Sequence, residues 1–212
     1  MTEYAFTVPR EPEIAEFAIA DPPDAWRALG FQVNDDDNLD IGMVRIRLLG
    51  GGAGGITSWA LRRVDAVGDI DGLPVHTPRF SSPPPFYTHP NGATSIDTVV
   101  IQSPDFKRTA DAFARAGMPL KREALIEGRG HMGFRRLGPV ILELVARPDL
   151  GGEDSRFWGL TVVVISLEDL AARLGDLLGP IRPALQPGRR IATLSADAGI
   201  SVPLAFMSPE PP

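Results

Sequence analysis

A strand-then-helix phrase occurs twice in this chain and constrains its fold more than any other feature. TVVIQSPD (98–105) is followed later by the near-copy TVVVISLE (161–168). In each copy a threonine opens an apolar run, a serine follows five residues later, and a helical pattern starts at that serine. Such self-similarity is typical of a repeated structural unit.

Both copies predict a strand that leads into a capped amphipathic helix. In the first, Ser103 is the predicted N-cap and Pro104 takes the first helical position, before apolar residues at helical spacing. In the second, Ser166 is the predicted N-cap and leucines continue the apolar stripe. A weaker third copy lies upstream, where EIAEFAIA (13–20) predicts a strand and Asp21 an N-cap.

About three strand-like segments follow each predicted helix, so each unit is predicted to be β-α-β-β-β. After the first helix they are FQV, MVRIRLL and ITSWALRRV, and the acidic NDDDNLD and the glycine-rich GGGAGG are predicted turns between them. A stretch with six prolines is predicted as an extended surface linker. The predicted divisions are a degenerate first unit (1–65), the linker (66–95), a second unit (96–146), a connection (147–157) and a third unit (158–212).

Composition excludes several classes of function. A net charge of −6 without a basic stripe argues against binding to nucleic acid. The absence of cysteine excludes disulfides, thiolate metal sites and cysteine nucleophiles. The sequence shows neither a signal-peptide pattern nor an apolar run long enough to span a membrane, so we expect a soluble cytoplasmic protein.

Several phrases resemble one known superfamily. SIDTVVIQSPDFKRTADAFARAG and GPVILELV resemble the vicinal oxygen chelate superfamily, which groups glyoxalase-like proteins, bleomycin- and fosfomycin-resistance proteins and extradiol dioxygenases. HPNGATSID, RFWGLTVVV and QPGRRIATL resemble a glyoxalase-like set of bacterial proteins. The resemblance covers residues 90–207 and, more loosely, the first unit. It implies an α+β fold in which the second and third units form a cupped mixed sheet around a cavity, where metal-dependent members bind a divalent ion.

The resemblance also implies positions for metal ligands, and this chain departs from them. The phrase that is commonly Ile-Asp-His-Val is IDTV here, so Thr98 stands where histidine is expected, and Thr161 matches it in the third unit. The last strands supply Glu143 and Ala205. Hydroxyl groups are weak ligands compared with imidazole, so we expect no metal cofactor. The alternative is a divalent ion held by Glu143 and Glu16, which has the equivalent offset in the first unit.

Candidate site residues follow from these positions. Glu143 is the candidate general base or anchor for a cationic group, and the alternative is a buried carboxylate paired with an arginine. For the other candidates, the alternatives are strand packing for the threonines, core packing for the aromatic residues and solvent exposure for the arginines. The candidate ligand-binding residues are Thr98, Thr161, Phe134, Arg136, Phe157, Trp158 and Arg190.

The three histidines are predicted to lie in loops or at the surface. His76, His89 and His131 show no metal-type spacing with one another. NDDDNLD fails the calcium-loop pattern, and GGGAGG lacks the lysine of a phosphate loop. None of these motifs therefore predicts a second site.

We therefore expect a protein that binds a small organic molecule in the cavity without a metal, and leave open whether it is an enzyme. One alternative is a divalent-metal-dependent lyase, isomerase or dioxygenase. Another is a non-catalytic structural or regulatory protein. A homodimer is expected as well, because an unpaired first unit would leave a sheet edge open.

Overall fold

The computed structural model describes residues 11–64, 68–79, 88–128 and 130–211, which form two mixed β-sheets and three α-helices. None of these helices is long and apolar enough to cross a membrane. The first sheet contains β1 (Glu13–Ile19), β2 (Asn38–Ile41), β3 (Val44–Leu48), β4 (Ile56–Arg62), β5 (Asp69–Ile70) and β6 (Leu73–His76). The second contains β7 (Ala93–Ser103), β8 (Arg122–Ile126), β9 (Gly130–Leu137), β10 (Val140–Ala146), β11 (Arg156–Val164), β12 (Arg182–Pro183), β13 (Arg190–Thr193) and β14 (Leu204–Met207). The helices are α1 (Pro23–Ala28), α2 (Phe106–Arg115) and α3 (Leu167–Leu174).

The second sheet joins the two units that carry the repeated phrase. Its strand order is β12-β13-β14-β11-β7-β10-β9-β8, so the first strands of the two units, β7 and β11, lie side by side and antiparallel at its centre. Each central strand is parallel to the last strand of its own unit, β10 or β14. The predicted α+β fold with a cupped mixed sheet is confirmed.

The first sheet repeats the inner pattern of the second. Its order is β2-β3-β1-β4-β6-β5, with β1 parallel to β3, β1 antiparallel to β4, and β4 parallel to β6. These are the directions that β7, β10, β11 and β14 have in the second sheet. The strand β4 therefore completes a pair of units within this chain.

Residues 66–95, which were predicted as a linker, include β5 and β6. The strand β6 pairs with β4, and its Leu73 side chain is fully buried. Pro74 is tolerated because it lies in a short strand near the sheet edge, where few ladder hydrogen bonds depend on its missing N–H. Proline content alone therefore gives an incomplete description of this segment.

Two predictions for the first unit were wrong. Residues 31–33 do not form a strand, and residues 38–40, which were assigned to an acidic turn, belong to β2. Asp40 on β2 lies opposite Arg45 on β3, and its two carboxylate oxygens accept hydrogen bonds from Arg45 at 2.7 and 3.0 Å. A cross-strand pair of opposite charges stabilises strand pairing, and this pairing accommodates the acid.

The helix caps were predicted with mixed success. Ser166 caps α3 as predicted, since its hydroxyl accepts a hydrogen bond from the Asp169 backbone N–H at 3.1 Å. The N-cap of α2 is Asp105, whose carboxylate accepts from the Arg108 backbone N–H. Ser103 accepts instead from the Asp105 N–H, so it positions the residue that caps the helix.

Buried contacts join the two halves of the chain. The centroid of the Trp59 ring on β4 lies 6.3 Å from that of Phe113 on α2 and 5.3 Å from that of Phe157 on β11.

Asp21 is not the cap of α1 as predicted, because α1 follows Pro22 without a side-chain cap. The Asp21 carboxylate instead accepts hydrogen bonds from Trp26 and from Ser201 near the other end of the chain.

Candidate functional site

A cavity of about 630 Å³ lies against the central strands of the second sheet. Its lining is largely apolar, with valine, leucine, isoleucine and methionine side chains from β7, β10, β11, β13 and β14. Of the residues singled out from the sequence, five line it. They are Thr98, Glu143, Trp158, Thr161 and Ala205.

Strand register explains why these residues meet. Thr98 on β7 and Thr161 on β11 are direct partners across the antiparallel pair. Ala205 on β14 is the partner of Thr161, and Glu143 on β10 is the partner of Val100, two residues beyond Thr98. Because side chains alternate along a strand, Thr98, Val100 and Glu143 share one face, while Leu142 and Leu144 are fully buried on the other.

The Thr98 hydroxyl belongs to a buried chain of polar contacts. It donates a hydrogen bond to Asp97 Oδ2 at 2.7 Å, and Asp97 Oδ1 accepts from Arg189 Nη1 at 2.6 Å. The side chains of Asp97 and Arg189 are 10% and 5% exposed, and Arg189 Nε also donates to the Ser208 carbonyl. The hydroxyl orientation of Thr98 is thereby fixed by the charged pair of Asp97 and Arg189.

Comparisons with known proteins agree with this architecture. No protein-family profile and no curated protein matches the chain. Among solved structures, a 4-hydroxymandelate synthase mutant from Streptomyces coelicolor matches 94% of this chain and 93% of its own at 14% identity and a TM-score of 0.62. A fusion of a xylose isomerase-like TIM barrel with 4-hydroxyphenylpyruvate dioxygenase matches all of this chain and 51% of its own at 12% identity and a TM-score of 0.63.

This chain has the vicinal oxygen chelate fold. A methylmalonyl-CoA epimerase from Mycobacterium tuberculosis also matches, over 57% of this chain and 91% of its own, at 18% identity and a TM-score of 0.47. At 12% and 14% identity, the likeness to the two structures with TM-scores of 0.63 and 0.62 shows the fold alone. The side chains of the cavity must therefore carry any argument about chemistry.

The donor set of the cavity does not fit a divalent ion, although metal binding occurs in part of the vicinal oxygen chelate superfamily. The four positions related by register offer the Glu143 carboxylate, the hydroxyls of Thr98 and Thr161, and the methyl group of Ala205. Divalent sites need about three or more converging carboxylate, imidazole or thiolate groups. Across the described ranges, no three histidine, aspartate or glutamate side chains cluster so as to hold a metal.

The far end of the cavity carries a different polar group. The Gln102 side chain lies on the same face of β7 as Thr98, four residues along. Its carbonyl oxygen accepts from the guanidinium of Arg156 at 3.3 and 3.4 Å, which leaves its amide NH₂ as the remaining donor group. Arg147 also lines this end and is bound by Asp149, and this contact lowers the pKa of Asp149 to about 2.

Four of the candidate ligand-binding residues lie outside the cavity lining. Phe157 packs against Trp59 in the core, because its position on β11 turns it away from the cavity face. Arg136 is exposed and donates to a backbone carbonyl. The Phe134 ring lies beneath the guanidinium of Arg122 on β8. Arg190 forms an exposed ion pair with Glu168. These side chains fit the structural alternatives stated for them.

Arg189 is a site-supporting residue that sequence reasoning did not select. Arg190 was the candidate selected from the adjacent pair of arginines, and no local pattern distinguishes it from Arg189. The structure buries Arg189 against Asp97 and exposes Arg190. The partner of Arg189 lies 92 residues away in sequence, so no local signal identifies it.

Glu16, the alternative metal ligand, lies in the first sheet and has other partners. Its Oε1 accepts from Arg47 Nε at 3.0 Å and contacts His76 Nε2 at 3.0 Å. Burial raises the pKa of Glu16, but the hydrogen bonds from His76 and Arg47 outweigh burial, so the net pKa is lowered. Glu16 and Glu143 therefore belong to different sheets and to different polar clusters.

The register of the first sheet reproduces the geometry of the cavity positions. His76 is the partner of Ala60, Ala60 is the partner of Glu16, and Arg47 pairs two residues beyond Glu16. In the first sheet Glu16, Ala60, His76 and Arg47 thus match Thr98, Thr161, Ala205 and Glu143 in the second. In the first sheet, the guanidinium of Arg47 therefore pairs with the carboxylate of Glu16, the residue that corresponds to Thr98.

One of the three histidines, His76, is not in the loop or surface position that was predicted, whereas His89 lies in a loop as predicted but is buried there. His76 lies on β6 against Glu16, and His89 is buried. His89 Nδ1 accepts from the Gln32 N–H, so the Nε2–H donates to the Asp40 carbonyl, and burial lowers the His89 pKa. His131 pairs with Glu123 at the surface.

Proposed function

We propose that the cavity of the second sheet binds a small organic molecule without a divalent metal ion. The observation that carries this proposal is the side-chain set at the register-related positions, two hydroxyls, one methyl group and one carboxylate. That set amounts to a degenerate metal site with space for a ligand. Pockets for small molecules commonly measure about 300–1,000 Å³ and are mostly apolar with a few polar groups, and this cavity agrees on both counts.

Glu143 is the proposed anchor or general base, with Thr98, Thr161 and Trp158 as the proposed ligand contacts. Glu143 is the acidic side chain among the residues that line the cavity. A carboxylate on an apolar wall can hold a cationic group or accept a proton from a bound molecule. Trp158 is about half exposed, which suits a contact near the cavity mouth.

Metal analysis separates this proposal from a divalent-metal-dependent lyase, isomerase or dioxygenase. The protein is purified, incubated with Ni²⁺, Zn²⁺, Mn²⁺ or Fe²⁺, desalted and measured by mass spectrometry of the elements. We expect well below one metal ion per chain, with no difference between wild type and Glu143→Ala. One ion per chain that is lost in Glu143→Ala would contradict metal-independent binding and favour the metal-dependent alternative.

Ligand binding separates the proposal from a non-catalytic structural or regulatory role. Native mass spectrometry of the purified protein searches for a co-purified small molecule, and thermal denaturation with a compound panel searches for stabilising ligands. Binding to the folded state raises the melting temperature by mass action. We expect a stabilising compound whose effect is reduced in Thr161→Val, whereas a cavity without any ligand favours the structural role.

Homodimerisation and a cytoplasmic location remain predictions. The edge that motivated the dimer is covered, since β4 pairs with β1 within the chain. The strand β8 is now the edge best suited to a second copy, because it ends the second sheet and its Leu125 is 85% exposed. Light scattering coupled to gel filtration measures the oligomeric state.

A further inference from the structure

We propose that the cavity selects a largely apolar molecule that presents a hydrogen-bond donor, such as an amine, an amide N–H or a hydroxyl, to Thr98. This inference rests on the proposed function of the cavity and adds the class of ligand. It follows from the hydrogen bonds that Thr98 and its neighbours make. Asp97 and Arg189 act in it as positioning residues, through Thr98.

The first step concerns the single proton of the Thr98 hydroxyl. A threonine hydroxyl has one O–H to donate and two lone pairs that accept. The Thr98 proton is directed to Asp97 Oδ2 at 2.7 Å. What Thr98 offers to the cavity is therefore its lone pairs, which accept hydrogen bonds from a ligand.

The second step is that Arg189 holds this arrangement in place. Its guanidinium donates to the other oxygen of Asp97 at 2.6 Å, in a pair that is almost fully buried. An aspartate fixed by an arginine on one side is a strong acceptor for the Thr98 proton on the other. Turning the Thr98 hydroxyl towards a ligand would leave a buried carboxylate oxygen without this partner.

The neighbouring polar groups place hydrogen-bond acceptors at one end of the cavity and donors at the other. Glu143 lies on the same face, opposite Val100, and an ionised carboxylate also accepts hydrogen bonds. Thr161 adapts to either role, since a hydroxyl rotates to suit its partner. At the far end Gln102 offers amide donors, because its oxygen is used by Arg156. A ligand with its donor near Thr98 and any acceptor near Gln102 satisfies all of these groups.

A molecule that presents only hydrogen-bond acceptors to Thr98 finds no donor there. A ketone or carboxylate there faces the lone pairs of Thr98 and the Glu143 carboxylate, and loses its hydrogen bonds to water without replacement. The cavity thus discriminates against acceptor-only head groups.

The test compares two probes with the same apolar frame, 3-phenylpropylamine and 4-phenylbutan-2-one, by titration calorimetry. We expect the wild-type protein to bind the amine about tenfold more tightly than the ketone, and Asp97→Asn to reduce that ratio about tenfold. In the variant, the amide oxygen can accept from Arg189 while the NH₂ group donates to Thr98, which releases the Thr98 proton towards the ligand. Because the amine is protonated at neutral pH, Thr98→Val, which changes no charge, separates loss of the acceptor from loss of Coulomb attraction to Asp97, and an unchanged ratio in Thr98→Val would contradict the positioning role of Asp97.

Matched variants keep the result interpretable. Glu168→Gln breaks the adjacent Arg190 pair at the surface and is expected to leave the ratio unchanged. Thr98→Val removes the acceptor and should lower the preference for the amine even if Asp97→Asn does not fold. Tighter binding of the ketone by the wild type overturns the inference but leaves small-molecule binding intact. If neither probe binds and native mass spectrometry finds no bound molecule, the inference fails together with the proposed function.

Discussion

Glu16 and Thr98 occupy matching register positions in the two sheets, but their surroundings give them opposite properties. Glu16 is fully buried, paired with Arg47 and in contact with His76. Thr98 carries no charge and borders a cavity, and its hydroxyl donates to Asp97, which is paired with Arg189. The same fold position therefore holds a charged cluster in the first sheet and a cavity-lining hydroxyl in the second.

The Glu16 cluster predicts a specific loss of stability when its carboxylate is neutralised. Glu16→Gln removes the charge and leaves Arg47 partly buried without its acid, which costs about 3 kcal/mol in the free energy of unfolding. The measurement is urea denaturation at pH 7. The exposed pair Arg190–Glu168 provides the control, and Glu168→Gln should leave the unfolding midpoint unchanged.

The same carboxylate gives the stability a direction with pH. Because the Glu16 pKa is lower in the folded protein than its ordinary value of 4.5, the ionised group stabilises the fold above pH 4.5. That contribution is lost as the pH falls through the folded pKa. The difference in stability between wild type and Glu16→Gln should therefore shrink below pH 4.5, and a constant difference at all pH values would contradict this account.

The residues of the site could be predicted from the sequence only in part. Alternation within ILELV placed Glu143 on the face opposite its leucine neighbours, and the repeated phrase placed Thr98 and Thr161 at matching positions. Their direct pairing required the strand register of β7 and β11, which the sequence does not specify. Local patterns were equally silent on the contact between Arg189 and Asp97, because it links distant segments.

At the scale of elements, the close approach of β11 and β14 shapes the cavity wall. Gly159 on β11 has no side chain, and the Pro203 carbonyl comes close enough to accept a hydrogen bond from the Leu160 N–H at 3.0 Å. A Cβ atom at residue 159 would lie 2.4 Å from that carbonyl oxygen. Glycine here is therefore a packing requirement of the parallel pair rather than a source of flexibility.

This approach predicts the effect of adding one methyl group. Gly159→Ala must separate β11 from the segment before β14, because a backbone carbonyl cannot move aside cheaply, and we expect a loss of about 2 kcal/mol in unfolding free energy. Thermal and urea denaturation measure it. Gly151→Ala, where no atom lies within 4 Å of the added carbon, is the matched control and should change stability little. Equal effects of the two substitutions would refute the packing argument.

At the scale of the whole molecule, the chain contains two sheets with the same inner strand pattern, and the sequence predicted only the second as a pair. The second and third units were recognisable because each has a capped helix after its first strand. The strand β4 is followed by the hairpin β5–β6, so the helix signal that identified the other units is missing. The fold was thus predictable for the units in which an amphipathic helix follows the first strand. It was not predictable for the unit that begins with β4, because a short hairpin takes the place of the helix there.

Asp71, in the turn between β5 and β6, fastens the first sheet to the second half. Its carboxylate accepts two hydrogen bonds from Arg108, and it also accepts from Thr109 and Ser155. Burial raises the Asp71 pKa, but the contacts with Arg108, Thr109 and Ser155 lower it overall. Asp71 therefore works as a charged acceptor across the boundary between the halves.

Asp71→Asn tests whether this junction couples the two halves. Asp71 has a positive φ of 54°, in the left-handed region that asparagine also adopts. The substitution therefore removes the charge without changing the backbone conformation. We expect a loss of about 2 kcal/mol, since hydrogen bonds to a charged group are replaced by weaker ones. In a Trp158→Phe background, unfolding is followed by the fluorescence of Trp26 and Trp59, which both lie in the first half, and by circular dichroism of both sheets. Coincident transitions in the wild type that separate in the variant would identify the junction as the source of cooperativity, whereas unchanged stability would show that the apolar contacts of Trp59 suffice.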